Sequence, residues 1–153
     1  MTQMPPDWNE FIECLNQNQV DFLVVGALAL SLHGISRYTG DLDVWIAPSE
    51  VNRQKVISAL NDFGFGSLNL QAADFAPPSE GVQLGIRPVR IDILTVLDGI
   101  TYSEASASAE EGNLGGQTVR FLSRDMILRN KRALARPQDL ADVARLEELG
   151  PLD

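Results

Sequence analysis

The sequence predicts an α/β fold, a mixed β-sheet flanked by helices and closed by a C-terminal helix pair. Three observations lead there. Short apolar runs of strand length, at 21–25, 42–47 and 89–97, alternate with segments whose apolar residues recur every three or four positions. Glycines stand at the ends of these segments, notably Gly26, Gly34 and Gly64. The last 30 or so residues carry two consecutive helical patterns separated by Pro137.

Taken in order, Pro5-Pro6 leads into Asp7, an N-cap candidate with Glu10 three residues on. Trp8, Phe11, Ile12 and Leu15 follow at helical spacing, giving a first helix with one apolar face. Asp21 to Val25 reads as a short buried strand ended by Gly26, and 27–33 as a short helix stopped by Gly34. A second strand covers 42–47, and Pro48-Ser49 opens a helix with apolar Val51, Val56, Ile57, Leu60 and Phe63 before Gly64. The polar, proline-broken stretch 66–81 predicts a strand and then a mobile loop. Residues 82–86 and 89–97 predict two further strands joined by a tight turn around Arg87-Pro88. Residues 102–112 are weakly helical, and a turn at Gly115-Gly116 leads into a strand over 117–122. The tripeptide Gly115-Gly116-Gln117 has the letters of a peptide-release motif, but its place before a strand reads as a hairpin turn. Helices from Ser123 to about Ala135 and from Pro137 to about Leu149 close the chain, the second with Pro at its first position.

The length of 153 residues fits one domain over 1–153, with a core at about 20–122 and the helix pair at about 123–149. At 44% hydrophobic and 22% charged the composition is that of an ordinary globular chain. A net charge of −9 argues against a surface that coats nucleic acid through its whole field, although a local basic patch is compatible with it. There is no secretory leader pattern and no apolar run of membrane-spanning length, so a cytoplasmic location without membrane partners is expected. A single Cys14 and a single His33 make a soft-ligand zinc site improbable, so any metal would be held by oxygen.

Asp41 and Asp43 flank Leu42 inside an apolar run. Residues two apart on a strand share a face, so both carboxylates stand side by side while Leu42, Val44 and Ile46 point to the core. Burying such charges is costly unless something positive sits with them, and two hard anions at one spot suit Mg²⁺. In 89–97, period two puts Arg90, Asp92 and Leu94 on one face. If that strand neighbours the first, the three carboxylates could hold two metal ions; alternatively Asp92 pairs with Arg90 or Arg87. Gly26 ends one strand and starts a helix, so backbone N–H groups there could meet phosphate oxygens.

This pattern of Gly26, then Asp41-x-Asp43 on the next strand, then a later carboxylate at Asp92, resembles the nucleotidyltransferase superfamily of the polymerase-beta type. The fuller string Gly26-Ala27-Leu28-Ala29-Leu30, His33-Gly34, Arg37-x-Thr39-x-Asp41-Leu42-Asp43 resembles its AbiEii-like branch, known from bacterial toxin–antitoxin and phage-defence systems. Lys131, Arg136, Asp139 and Asp142 match that branch's lysine motif, and the likeness spans about 22–146. The resemblance implies a nucleotidyltransferase-like sheet with Asp41, Asp43 and Asp92 as catalytic metal ligands for Mg²⁺ or Mn²⁺. It also implies an NTP held by Gly26, Ala27 and the following backbone, by Arg37, Thr39 and Lys131, with Asp142 orienting the site. The acceptor would be a hydroxyl of tRNA or protein, and an antitoxin or other partner protein is implied as well. Ala27 stands where the family usually has Gly or Ser, so a phosphate-binding hydroxyl is missing and the backbone donors remain.

Other features have two readings each. His33 packs and hydrogen-bonds locally or acts as a base. Arg37 pairs with Asp41 or with phosphate, and Lys131 is a solvated charge or a phosphate ligand. Arg120, Arg124, Arg129, Lys131, Arg132 and Arg136 are six of the twelve basic residues. They form either an RNA- or triphosphate-contacting patch or a helix face paired with Asp125 and Asp139. The function expected is Mg²⁺-dependent transfer of a nucleoside monophosphate from an NTP to a hydroxyl. A catalytically decayed nucleotide-binding or partner-docking module is the alternative, and a metal-dependent phosphohydrolase is weaker because only one histidine is present.

Overall fold

Phe22–Val25 (β1) is apolar and buried at every position, as a central strand covered on both faces requires. The computed structural model describes residues 4–151 and places this strand in the middle of a six-stranded mixed sheet. The chain runs α1 (Pro6–Gln17), β1, α2 (Gly26–Leu32), β2 (Asp41–Ile46), α3 (Glu50–Phe63), β3 (Gly81–Leu84) and β4 (Arg90–Leu94). It continues as α4 (Tyr102–Ser108), β5 (Glu110–Leu114), β6 (Gln117–Phe121), α5 (Arg124–Leu134) and α6 (Pro137–Leu149). The strand order is β3-β4-β2-β1-β6-β5. β1 pairs antiparallel with β2 and parallel with β6, β2 pairs parallel with β4, and the two outer pairs are antiparallel hairpins. Among the described residues no helix is long and apolar enough to cross a membrane.

The predicted α/β architecture and the C-terminal helix pair are present, with four local differences. Pro5, not Asp7, is the N-cap of α1: Pro6 supplies the preset φ of the first helical position, and Asp7 falls in the first turn, where its charge suits the helix dipole. The stretch expected as a strand and loop contains two 3-10 turns, Gly66–Leu68 and Ala72–Phe75. Ala72 and Phe75, three apart, lie on one side of the second turn and are both buried, so a tight turn serves the core where a strand would expose one of them. Glu110-Glu-Gly-Asn-Leu114 forms an edge strand that its polar sequence conceals, because its pairing is imposed by the hairpin turn into β6. Val51, placed on the apolar face of α3 by spacing, is 66% exposed.

Helix α3 is tied to the sheet by one polar side chain. Asn52 is 4% exposed. Its amide NH₂ donates to the carbonyls of Asp21 and Ala47, each at 3.0 Å, and its carbonyl accepts from the Asp21 N–H at 2.7 Å. These bonds satisfy backbone groups just outside the ends of β1 and β2, while Ser49 caps the helix by accepting from the Asn52 N–H. Replacing Asn52 with Leu removes all three of these bonds, leaving the buried Ala47 carbonyl without its side-chain donor while the Asp21 carbonyl keeps the Ala47 N–H. The Asn52→Leu protein is expected to lose about 2 to 4 kcal/mol in urea unfolding, and a loss under 1 kcal/mol would show that these bonds are dispensable.

Candidate active site

Parallel pairing of β2 with β4 sets the site. Its register places Asp41 opposite Arg90, Asp43 opposite Asp92 and Trp45 opposite Leu94, so one face of two adjacent strands carries three carboxylates and one guanidinium. Leu42, Val44 and Ile46 turn the other way and are fully buried, as alternation requires. Further along the carboxylate face, Trp45 packs edge-on against Tyr102 of α4, ring centroids 5.1 Å apart. The apolar packing at that end holds the acidic end in place.

The three carboxylates differ in environment. Asp41 receives a forked pair of hydrogen bonds from Arg87, Nε to Oδ1 and Nη2 to Oδ2, both 3.2 Å. Arg90 Nε lies 3.0 Å from Asp41 Oδ1 and 3.1 Å from Asp92 Oδ1. It is aligned for a hydrogen bond to neither, so Arg90 bridges the two through charge while its Nη2 donates to Asp92 Oδ2 at 3.2 Å. Among the described residues no cation forms an ion pair with Asp43, although Arg90 is near enough to oppose its protonation. Burial, then the adjacent Asp92, pushes the Asp43 carboxyl up to about 7. Asp43 therefore exchanges its proton near neutrality, as a partly dry carboxyl beside a like charge must.

Gly26 completes this corner. Its φ of +67° is a left-handed conformation, and a Cβ there would overlap the Asp43 carboxylate. Glycine is required on both counts, and the close approach sets the first backbone turn of α2 directly against Asp43. Gly26 and Asp43 line one cleft together with Asn130 and Lys131 of α5, Leu134 and Arg136.

The donor set is oxygen only, and Asp92 Oδ1 is buried with no hydrogen-bond partner. Such donors fit a hard divalent cation, Mg²⁺ or Mn²⁺, better than a soft one. Among the described residues, however, no three His, Cys, Asp or Glu side chains are gathered tightly enough to hold one ion. Asp41 is engaged by Arg87 and Arg90, and Asp43 and Asp92 form the close pair.

The remaining candidates form a chain of ion pairs. Arg37 pairs with Asp142 Oδ1, not with Asp41. Lys131 reaches Asp142 Oδ2 at 2.9 Å and Asp139 Oδ1 at 3.5 Å, and Arg136 Nε donates to Asp139 Oδ2 at 2.6 Å. Lys131 is thus a paired, largely buried cation and not a solvated one, its side chain 16% exposed. Burial opposes ionisation of Asp142, yet hydrogen bonds from Arg37 and Lys131 hold its carboxyl below the usual range. Thr39 Oγ1 is engaged by the backbone of Asp41, accepting from its N–H at 3.1 Å and lying 3.0 Å from its carbonyl. Ala27 follows Gly26 in the first turn of α2.

His33 follows the local reading: Nε2 lies 2.8 Å from the Leu122 carbonyl and its ring meets Phe121 edge-on. The six clustered basic residues each have a carboxylate partner. Arg120 pairs with Asp21, Arg124 with Asp125, Arg129 with Glu104 and Arg132 with Glu147. Lys131 and Arg136 pair as described. The paired-face reading therefore describes this cluster, with more acidic partners than Asp125 and Asp139. Sequence reasoning missed Arg87 as the partner of Asp41. Period two showed Arg90 and Asp92 sharing a face, but which carboxylate each arginine meets depends on strand register.

No protein-family model matches the chain, and no curated protein is similar to it by sequence. By fold it is similar to solved nucleotidyltransferases. The antibiotic-resistance factor ANT(2'')-Ia in solution superposes with a TM-score of 0.60 at 17% identity, covering 94% of this chain and 83% of that one. The same factor in complex with adenylyl-2''-tobramycin gives 0.57 at 18% identity over 94% and 87%. TM1012 of Thermotoga maritima, assigned as a nucleotidyltransferase, gives 0.56 at 14% identity over 95% and 94%. At these identities the likeness is one of fold.

Asp139 has no exposed side-chain surface and holds both Arg136 and Lys131. The hydrogen bond from Arg136 leads the effects that keep its carboxyl below the usual range. A depressed folded pKa gives stability that is present above the ordinary carboxylate range and is lost as pH falls below that range and through the lower value of the folded protein. Asp139→Asn is expected to cost about 3 kcal/mol at pH 7 and to narrow the gap between its urea midpoints at pH 7 and pH 3. An unchanged midpoint at pH 7 would contradict this account of α5–α6 docking.

Proposed function

We propose that this protein is a nucleotidyltransferase that moves a nucleoside monophosphate from an NTP to an acceptor hydroxyl. The observation that carries the reading is the register that sets Asp43 beside Asp92 and Asp41 beside Arg90, against the Gly26 turn, in a nucleotidyltransferase-like fold. In this reading Asp41, Asp43 and Asp92 hold Mg²⁺ or Mn²⁺. The cation supplies Lewis-acid stabilisation of charge on the α-phosphoryl group and on departing pyrophosphate.

The protein's own groups do the rest. The N–H groups after Gly26 and the Lys131 ammonium hold phosphate oxygens in the shared cleft. The acceptor oxygen attacks the α-phosphorus, the bond to the β-phosphate oxygen breaks, and Asp92 receives the hydroxyl proton. Arg37 and Asp142 orient Lys131 from behind, and Thr39 fixes the start of β2 through the Asp41 backbone. The Arg37-x-Thr39-x-Asp41-x-Asp43 string and the Lys131 to Asp142 motif support the AbiEii-like branch, and with it a tRNA or protein acceptor and an antitoxin partner. A decayed nucleotide-binding module is favoured by Ala27 and by the arginine grip on Asp41.

Incubation with each α-labelled NTP, Mg²⁺ or Mn²⁺, total tRNA and cell extract tests this. Label is expected in an RNA or protein band, with at least a thousandfold loss in Asp41→Asn and Asp43→Asn proteins that keep the wild-type circular dichroism. Wild-type transfer by both variants would sink the assignment. NTP binding without transfer would support the decayed module.

Arg87 competes with any cation for Asp41, and its side chain, on the β3–β4 hairpin, is 66% exposed. Arg87→Ala is expected to tighten Mn²⁺ binding severalfold in a titration followed by electron spin resonance. Weaker binding would mean that Arg87 supports the cation site.

A further inference from the structure

A second pocket opens on the surface between α1, α2 and the β3–β4 turn. Its walls are mostly apolar, with Leu28 from α2, Pro88 and Val89 from the turn and Leu114 from β5, and Ser31 and Ser36 add two polar residues to the lining. Its volume is about 190 Å³, room for one aromatic ring, since an engineered apolar cavity of about 150 Å³ takes up benzene. Tyr38 also lines the pocket and is 80% exposed, so its ring stands at the mouth and leaves the interior open. On the adjoining turn Ile86 is 78% and Val89 36% exposed, held together by the Val89 N–H donating to the Ile86 carbonyl at 3.0 Å. Exposed apolar side chains and an apolar hole lie side by side on one face.

Charge decides what can cover this face. The chain carries a net charge of −9, so two copies repel each other in most orientations. None of the residues lining the pocket is acidic, and the one charged residue among them, Arg37, is already paired with Asp142. On the turn, Arg87 is likewise paired with Asp41. The face therefore offers a basic partner no carboxylate and an acidic partner no free guanidinium. It is the kind of surface on which two copies of an acidic chain approach at low electrostatic cost.

We infer that this face is a two-fold interface between copies of this chain, in which Tyr38 of each protomer enters the pocket of the other. A knob placed beside its own hole is what an isologous contact requires, because a half-turn exchanges the two. A tyrosine suits the pocket chemically as well as in size: its ring meets Leu28 and Pro88, and its hydroxyl, which needs a partner once buried, has Ser31 and Ser36 within the lining. Pairing would also steady the surroundings of Asp41. Pro88 and Val89 follow Arg87, which holds the Asp41 side chain, and Thr39 of the same lining hydrogen-bonds the Asp41 backbone. Assembly of this kind does not depend on nucleotidyl transfer and is measured without nucleotide.

The test is sedimentation velocity on the full chain from low to high micromolar concentration, with photo-crosslinking in parallel. A species of twice the chain mass is expected to grow in as concentration rises. Tyr38→Ala and Val89→Glu should each weaken dimerisation tenfold or more with unchanged circular dichroism, and Tyr38→Phe should weaken it less than Tyr38→Ala. With benzoylphenylalanine in place of Tyr38, irradiation should join two chains, and the link should map to Leu28, Pro88 or Val89 of the second chain. A protein that stays monomeric at every concentration, a dimer that Tyr38→Ala leaves untouched, or a cross-link that maps outside the pocket overturns the interface.

Discussion

Three carboxylates on one face of two neighbouring parallel strands are the constraint around which this molecule is arranged. They stand together because β2 and β4 pair in a register that aligns Asp43 with Asp92. Partly withdrawn from water, they cannot all remain charged without cations close by. The structure meets this in two ways. Arg87 and Arg90 neutralise Asp41 and one side of Asp92, and burial together with the adjacent Asp92 pushes the Asp43 carboxyl up to about 7, so that it is partly protonated near neutrality. A purely structural sheet would have placed valine or isoleucine at these positions, as it does on the opposite face of β2. The cost of the acidic face is the strongest physical argument that it serves chemistry.

A second electrostatic arrangement fixes the C-terminal helices to the same region. Arg37, Asp142, Lys131, Asp139 and Arg136 form an alternating chain of charges that runs from the loop before β2 into α5 and α6. Alternation matters: each carboxylate in it has two cationic partners, so the pairs can be buried without leaving a charge alone. The loop carrying Thr39 and Tyr38 is thereby held at a defined distance from Lys131. The chain links Arg37, which lines the apolar pocket, to Lys131 and Arg136, which line the candidate phosphate cleft.

Much of the fold was legible locally. The fully apolar β1, the Ser49 and Ser123 caps, the Gly64 stop and Pro137 at the head of α6 act through near neighbours, so their physics is contained in a few residues of sequence. What was hidden depends on partners far along the chain. β5 is a strand because β6 is there to pair with it, and 66–81 folds into tight turns because Phe75 has a core to enter. Asn52 looks like an ordinary polar residue of a helix until the ends of β1 and β2 arrive beside it.

By itself the sequence determined the α/β class, the shared face of Asp41 and Asp43, the isolation of Asp92 within an apolar strand, and the glycine at the turn before α2. These follow from period two, from the high cost of buried charge and from the backbone freedom of glycine, all local rules. Only the tertiary structure decided which carboxylate each arginine holds, that Arg37 pairs with Asp142 and not with Asp41, and that Trp8 and Tyr38 line one pocket. Those outcomes depend on strand register and on contacts between residues some 30 to 105 positions apart. Pairings at such separations are set by the packing of whole elements and not by any local pattern.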